Sequence, residues 1–183
     1  MPANWPTFIT QVGNYLNDPK EGKTHKETDE KIASSYHTAA YTVQVILYPN
    51  LVMVRPPYLP IKNAILKTFD NIRESEKKAR PEQFTDWANA VVDYWKKSQF
   101  SPAPFHPQSI IESTGTAGVP IPISHIVSNG GDVDKLKKDL HRAFDHEPQK
   151  IKYGIPFATE LSTAFTSHLQ TVKGTHYLTV TPG

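Results

Sequence analysis

The sequence of 183 residues contains no cysteine. Disulfides, zinc–thiolate sites, iron–sulfur clusters and a cysteine nucleophile are excluded together. No apolar run approaches the roughly 20 residues that a membrane-crossing helix needs. The opening Met-Pro-Ala-Asn-Trp-Pro lacks the basic start and apolar core of a signal peptide. These features lead us to expect a soluble chain made in a reducing cytoplasm, with no membrane partner. Neither sign of charge dominates: 20 basic and 18 acidic residues leave a net charge of +2. That balance argues against nucleic acid as the main partner.

Glycine is also scarce where it would interrupt helices. None of the nine glycines falls between Gly22 and Gly115, and apolar residues at helical spacing fill that interval. A first helix is expected over 4–17, with Asn4 as cap, Pro6 in the first turn, and Phe8, Val12, Tyr15 and Leu16 on one face. A second fits 25–47, where Thr24 and Glu27 have capping-box spacing and Ile32, Tyr36, Ala39, Ala40, Val43, Ile46 and Leu47 make the stripe. Its last part, Tyr41 to Tyr48, is β-branched and aromatic enough to be a strand instead. A third helix fits 61–78 and a fourth 82–97, the latter with Phe84, Trp87, Ala88, Val91, Val92 and Trp95 inward. A fifth starts after Asp132, a good cap. A sixth follows Gly154, with Gly174 placed to end it in a left-handed conformation.

Proline marks what is left. Residues 49–60 hold four prolines around Leu51-Val52-Met53-Val54, which reads as an apolar loop or a short edge strand. Residues 99–131 hold five prolines and four glycines, the composition of an extended arm or loop. Residues 175–183 form a short extended tail that could add a strand to a neighbour. The fold expected is one mainly α domain over 1–183: a bundle of about six helices with proline-rich extended loops and an extended C-terminal tail.

Catalytic signatures are few. Gly115-Thr116-Ala117-Gly118 lacks the lysine of a phosphate-binding loop. There is no Gly-x-Ser-x-Gly elbow and no His-Glu-x-x-His. His141 and His146 are five apart, so they point about 140° away from each other around a helix and cannot chelate from one face. Ser124 and His125 are adjacent, which does not by itself orient an imidazole onto a hydroxyl. His168 lies on an apolar face and reads as a hydrogen-bonded core residue. Asp86 and Asp93 are seven apart and share a helix face. A paired-carboxylate site is conceivable there, and two solvated acids are the simpler reading. No cofactor or metal is expected.

Trp87, Val91 and Trp95 have core spacing, which leaves Tyr94 as the interface candidate, next to Lys96 and Lys97. The other interface candidates lie in the three extended segments: Leu51, Val52 and Val54; Phe100, Phe105, Ile121 and Ile123; Tyr177 and Leu178.

Several features occur together: Asn4-Trp5-Pro6-x-Phe8, Ile32-Ala33-x-x-Tyr36, Trp87-Ala88, Tyr94-Trp95, the proline-rich Phe100 to Pro107, and a closing helical pair with an extended tail. Taken as a set they resemble small structural proteins from virions of tailed bacteriophages, especially contractile-tailed phages of aquatic bacteria. The resemblance implies a non-enzymatic virion component, made in the host cytoplasm. It would pack by its helices and arms against other virion proteins and copies of itself. It supplies no catalytic residue. A small hydrolase with dispersed Asp and His residues, or a helical adaptor or nucleic-acid module, is the alternative.

Overall fold

The computed structural model describes residues 5–18, 25–45, 51–75, 79–102, 123–144 and 154–178. The fold is mainly α, with six helices among the described residues: α1 (Trp5–Asn17), α2 (His25–Ala40), α3 (Leu59–Glu74), α4 (Thr85–Lys96), α5 (Val133–Phe144) and α6 (Ile155–Leu169). A 3₁₀ turn, Pro81–Phe84, leads into α4. Each helix packs on the next in sequence, and α6 returns to α1, so the six close into a ring.

The stripes on these helices fill the middle of the ring. Phe8 and Val12 of α1, Ile32 and Tyr36 of α2, Ile61 and Ile65 of α3, Trp87, Val91 and Trp95 of α4, Leu136 and Leu140 of α5, and Leu161 and Phe165 of α6 are all buried. Phe165 stacks on Trp5 at 5.6 Å and meets Tyr36 edge-on at 4.6 Å. Inside this apolar cluster Trp95 donates from Nε1 to the Tyr36 hydroxyl at 2.8 Å, which satisfies a donor that would otherwise be buried alone. A second aromatic group joins α4 to α5 and α6, with Phe144 lying 5.1 Å from Phe84 and 4.9 Å from Phe157.

Helix ends follow local chemistry. Asp132 caps α5 by accepting from the Lys135 amide at 2.9 Å. Pro60 and Pro156 sit in the first turns of α3 and α6, where a missing N–H costs nothing. The second helix stops at Ala40, short of the expected residue 47. Tyr41 and Thr42 form a turn, and the Thr42 hydroxyl takes the Ala39 carbonyl. The β-branched pair Thr42-Val43 follows, and such residues propagate a helix poorly. Residues 46–48 lie outside the described residues. Helix α3 likewise ends at Glu74 rather than 78, as Ser75 bonds back to the Ile72 carbonyl.

The strands were not expected as a unit. β1 (Leu51–Val54), β2 (Gln99–Pro102), β3 (Ile123–Asn129) and β4 (Lys173–Leu178) form one antiparallel sheet in the order β1-β2-β3-β4. Met53 pairs with Phe100, Phe100 with His125, and His125 with His176. Leu51, Met53, Phe100, His125 and Val127 turn to the helices and are buried, whereas Val54, Gln99 and Ser128 on the other face are exposed. This is the alternation of a sheet packed on one side.

Three expectations are corrected here. The ends of the 99–131 segment are strands of this sheet rather than an arm; residues 103–122 lie outside the described residues. The first part of the tail, 175–178, pairs within its own chain as part of β4, against β3; residues 179–183 lie outside the described residues. Gly174 does not end α6. It lies in β4 opposite Val127, where a Cβ would fall 1.9 Å from His125 Nε2. Its role is to leave room for the buried imidazole of the neighbouring strand.

Candidate functional site

The site is built on the chain between β1 and α3. Residues 54–60 read Val-Arg-Pro-Pro-Tyr-Leu-Pro, and two of them, Arg55 and Tyr58, are tied down. Arg55 turns back to α2, donating from Nη1 to the His37 carbonyl in the last turn of that helix. A cation there satisfies an open carbonyl and meets the negative end of the helix dipole. The same guanidinium lies 4.8 Å over the Tyr41 ring. Tyr58 also returns to α2, where its hydroxyl donates to Glu30, whose other oxygen pairs with Lys62 at 3.0 Å. The Tyr58 hydrogen bond holds the Glu30 carboxyl below its usual range.

With those two anchors fixed, Pro57 between them and Pro60 just beyond are exposed. Pro56 and Pro57, then Pro60 and Ile61, form one wall of a groove of about 320 Å³. The opposite wall is the outer face of α4: Asp86, Asn89, Ala90 and Asp93, with Lys97 at one end. Asp86 is held by Lys67 at 2.7 Å. Tyr94 closes the floor, and its hydroxyl shares a 2.8 Å hydrogen bond with His37 Nδ1 behind it. Burial, with the Arg55 charge nearby, pulls His37 down to about 4, so the imidazole is neutral at pH 7. Burial also pushes the Tyr94 phenol up.

This arrangement suits binding better than proton transfer. The neutral His37 is committed to Tyr94. Asp86 and Asp93 are two helical turns apart, about 10.5 Å along the axis. Carboxylate pairs that cleave glycosides lie about 5–9.5 Å apart. Beside the groove the apolar chain breaks the surface: Val54 is 55% exposed, Leu59 56% and Tyr41 50%.

The interface candidates distribute unevenly. Tyr94 is 3% exposed, which corrects the expectation that it stands off the core line. Helix α4 packs against α3, α5 and β3, so more than one of its faces is inside. Leu51 at 3% and Phe100 at 0% are core residues of the sheet's inner face, and are corrected likewise. Val52 is half-buried on the outer face, and Val54 is exposed. Ile123, Tyr177 and Leu178 hold paired positions in β3 and β4, Ile123 opposite Leu178 and Tyr177 opposite Ser124. Phe105 and Ile121 lie outside the described residues. Leu59, Tyr41 and the three groove prolines were not singled out; the proline count in 49–60 was the available signal.

Among the described histidines, His125 and His176 sit opposite each other in β3 and β4, and the others are held separately. His168 is fully buried and donates from Nε2 to the Gly130 carbonyl at 2.9 Å. Burial pulls it to about 4. His141 donates from Nε2 to the Ala79 carbonyl at 2.9 Å. Among the described residues no group of three or more His, Asp and Glu side chains is placed to hold a metal ion. Among them, too, no helix is long and apolar enough to cross a membrane. Compared with protein-family models, curated proteins and solved structures, the chain matches none.

Proposed function

We infer that this chain is a non-enzymatic structural subunit of a phage virion, seated against other virion proteins and copies of itself. The observation that carries the reading is the exposure of Val54 on the edge strand β1, of Leu59 just after it in the chain, and of Tyr41 beside Arg55. Exposed apolar side chains mark a contact surface where they are contiguous, and on this reading these three are covered by one neighbour. The strand they flank, Leu-Val-Met-Val, carries none of the charges that ordinarily discourage edge pairing. The resemblance of the Trp, Tyr and proline motifs to small virion proteins supplies the kind of assembly.

The test is purification of assembled particles followed by quantitative mass spectrometry. A fixed copy number per particle is the expected result. A chain that stays monomeric, is absent from particles and turns over a substrate would overturn the reading.

A further inference from the structure

We propose that the groove between residues 56–61 and α4 is a docking slot for an extended basic segment of another polypeptide, with cationic residues three apart. The inference rests on the assembly reading only in taking the occupant to be a protein.

The argument begins with the walls. The groove is lined by Pro56, Pro57 and Pro60 on one side and by α4 on the other. The proline rings present apolar surface without backbone N–H donors. Such a wall packs against the stem of a long side chain but gives it no polar partner. The polar partners all come from α4. Asp93 makes no ion pair among the described residues and opens onto the groove, and Asp86 does so one carboxylate further along, shared with Lys67. A carboxylate has about four lone-pair sites, and one lysine leaves Asp86 with acceptor capacity to spare.

The spacing then selects the ligand. Seven residues of α-helix return to nearly the same face, displaced by about 10.5 Å. In a polyproline-II segment, residues three apart also share a face, displaced by about 9.3 Å. A segment with Arg or Lys at positions i and i+3, running along α4, therefore sets one cation on each acid while its stems lie against the prolines. A regular β-strand does not match, because residues three apart face opposite ways. Lys97 at one end disfavours a further cation beyond Asp93. The chain's net charge of +2 gives a basic peptide no general attraction, so binding must come from this local pair.

The test is titration calorimetry on the full chain. The probe is acetyl-Pro-Arg-Pro-Pro-Arg-Pro-amide, compared with acetyl-Pro-Arg-Pro-Arg-Pro-Pro-amide, which has the same composition and charge. The first is expected to bind about fivefold tighter, the value of one further exposed ion pair with its packing. D86N and D93N, both on exposed side chains, should each remove that preference. D134N on α5, away from the groove, should leave it intact. Equal binding of the two peptides overturns the proposal, as does a preference that survives D93N or disappears with D134N. Virion incorporation is measured separately, so a chain found in particles but indifferent to peptide spacing refutes the slot and spares the assembly reading.

Discussion

Two regions of this molecule use the same apolar chemistry to opposite ends. Inside the helical ring, Phe8, Tyr36, Trp95 and Phe165 are sealed, and the polar tips of Tyr36 and Trp95 satisfy each other. At the β1–α3 corner, Val54 and Leu59 stand in solvent although the chain around them is firmly held by Arg55 and Tyr58. Rigid backbone with exposed apolar tips is costly to keep in water and gains nothing for the fold of the lone chain. On the assembly reading proposed above, these residues are the surface that a neighbour covers.

The contrast is broken most directly by truncation. Phe165→Ala removes a ring that touches α1 and α2 as well as its own helix. It should cost about 3–5 kcal/mol, close to the whole stability of many domains. Leu59→Ala should stay within about 0.5 kcal/mol. Chemical denaturation of both variants checks this. Similar losses at the two sites would show that the corner is structural after all.

Acid sharpens the comparison next, because the ring also holds a sealed titrating group. His168 keeps a folded-state value of about 4 against 6.5 in an unfolded chain. Between those values the unfolded chain carries a proton that the folded one lacks, so stability falls as pH drops from 6.5 toward 4. The contribution lost is roughly 3 kcal/mol. His37 acts in the same direction with less weight, since it is partly exposed. Asp29, raised by burial, acts in the opposite direction: its contribution is present below the ordinary carboxylate value and fades as pH rises through the folded one. His168→Gln keeps a donor for Gly130 and removes the titration. Denaturation curves at pH 7 and pH 4 should show the variant losing less stability than the parent.

Tyr36→Phe is a milder break in the ring. It leaves the Trp95 Nε1–H buried without its acceptor, at a cost of about 1–3 kcal/mol. Thermal unfolding that does not change would mean that Nε1 finds another partner.

How far the sequence exposed these regions differs between them. Helices α1, α4, α5 and α6 follow from the 3.6-residue stripe and from caps such as Asp132, because those signals are local. His168 was readable as a core residue from its neighbours Phe165 and Leu169. The sheet was not readable. Its strands are four to seven residues long, helices separate β1 from β2 and β3 from β4, and β2 reads Gln-Phe-Ser-Pro, without clear alternation. Strand pairing across such distances leaves no periodic mark. Tyr94 was misplaced for a related reason. Sequence spacing identifies one buried face, whereas α4 is enclosed on several, and the His37 that partners Tyr94 lies 57 residues away. The groove could be seen in halves, prolines in one segment and Asp86 with Asp93 in another, but only the packing of α3 on α4 joins them.

The smallest effect on folding tests the corner most severely. Val54→Asp and Leu59→Asp each place a charge on a side chain that is already more than half exposed. Neither opens a cavity nor strands a buried partner, so stability should move by no more than about 0.5 kcal/mol. The contact surface should respond very differently, because a carboxylate facing an apolar neighbour must be desolvated without a partner. Incorporation of either variant into assembled particles should fall at least tenfold, while its melting temperature stays with the parent's. Were both variants incorporated normally, the exposed corner would be ordinary surface, and the contact would have to be sought on the outer face of the sheet, around Val52 and Ile126.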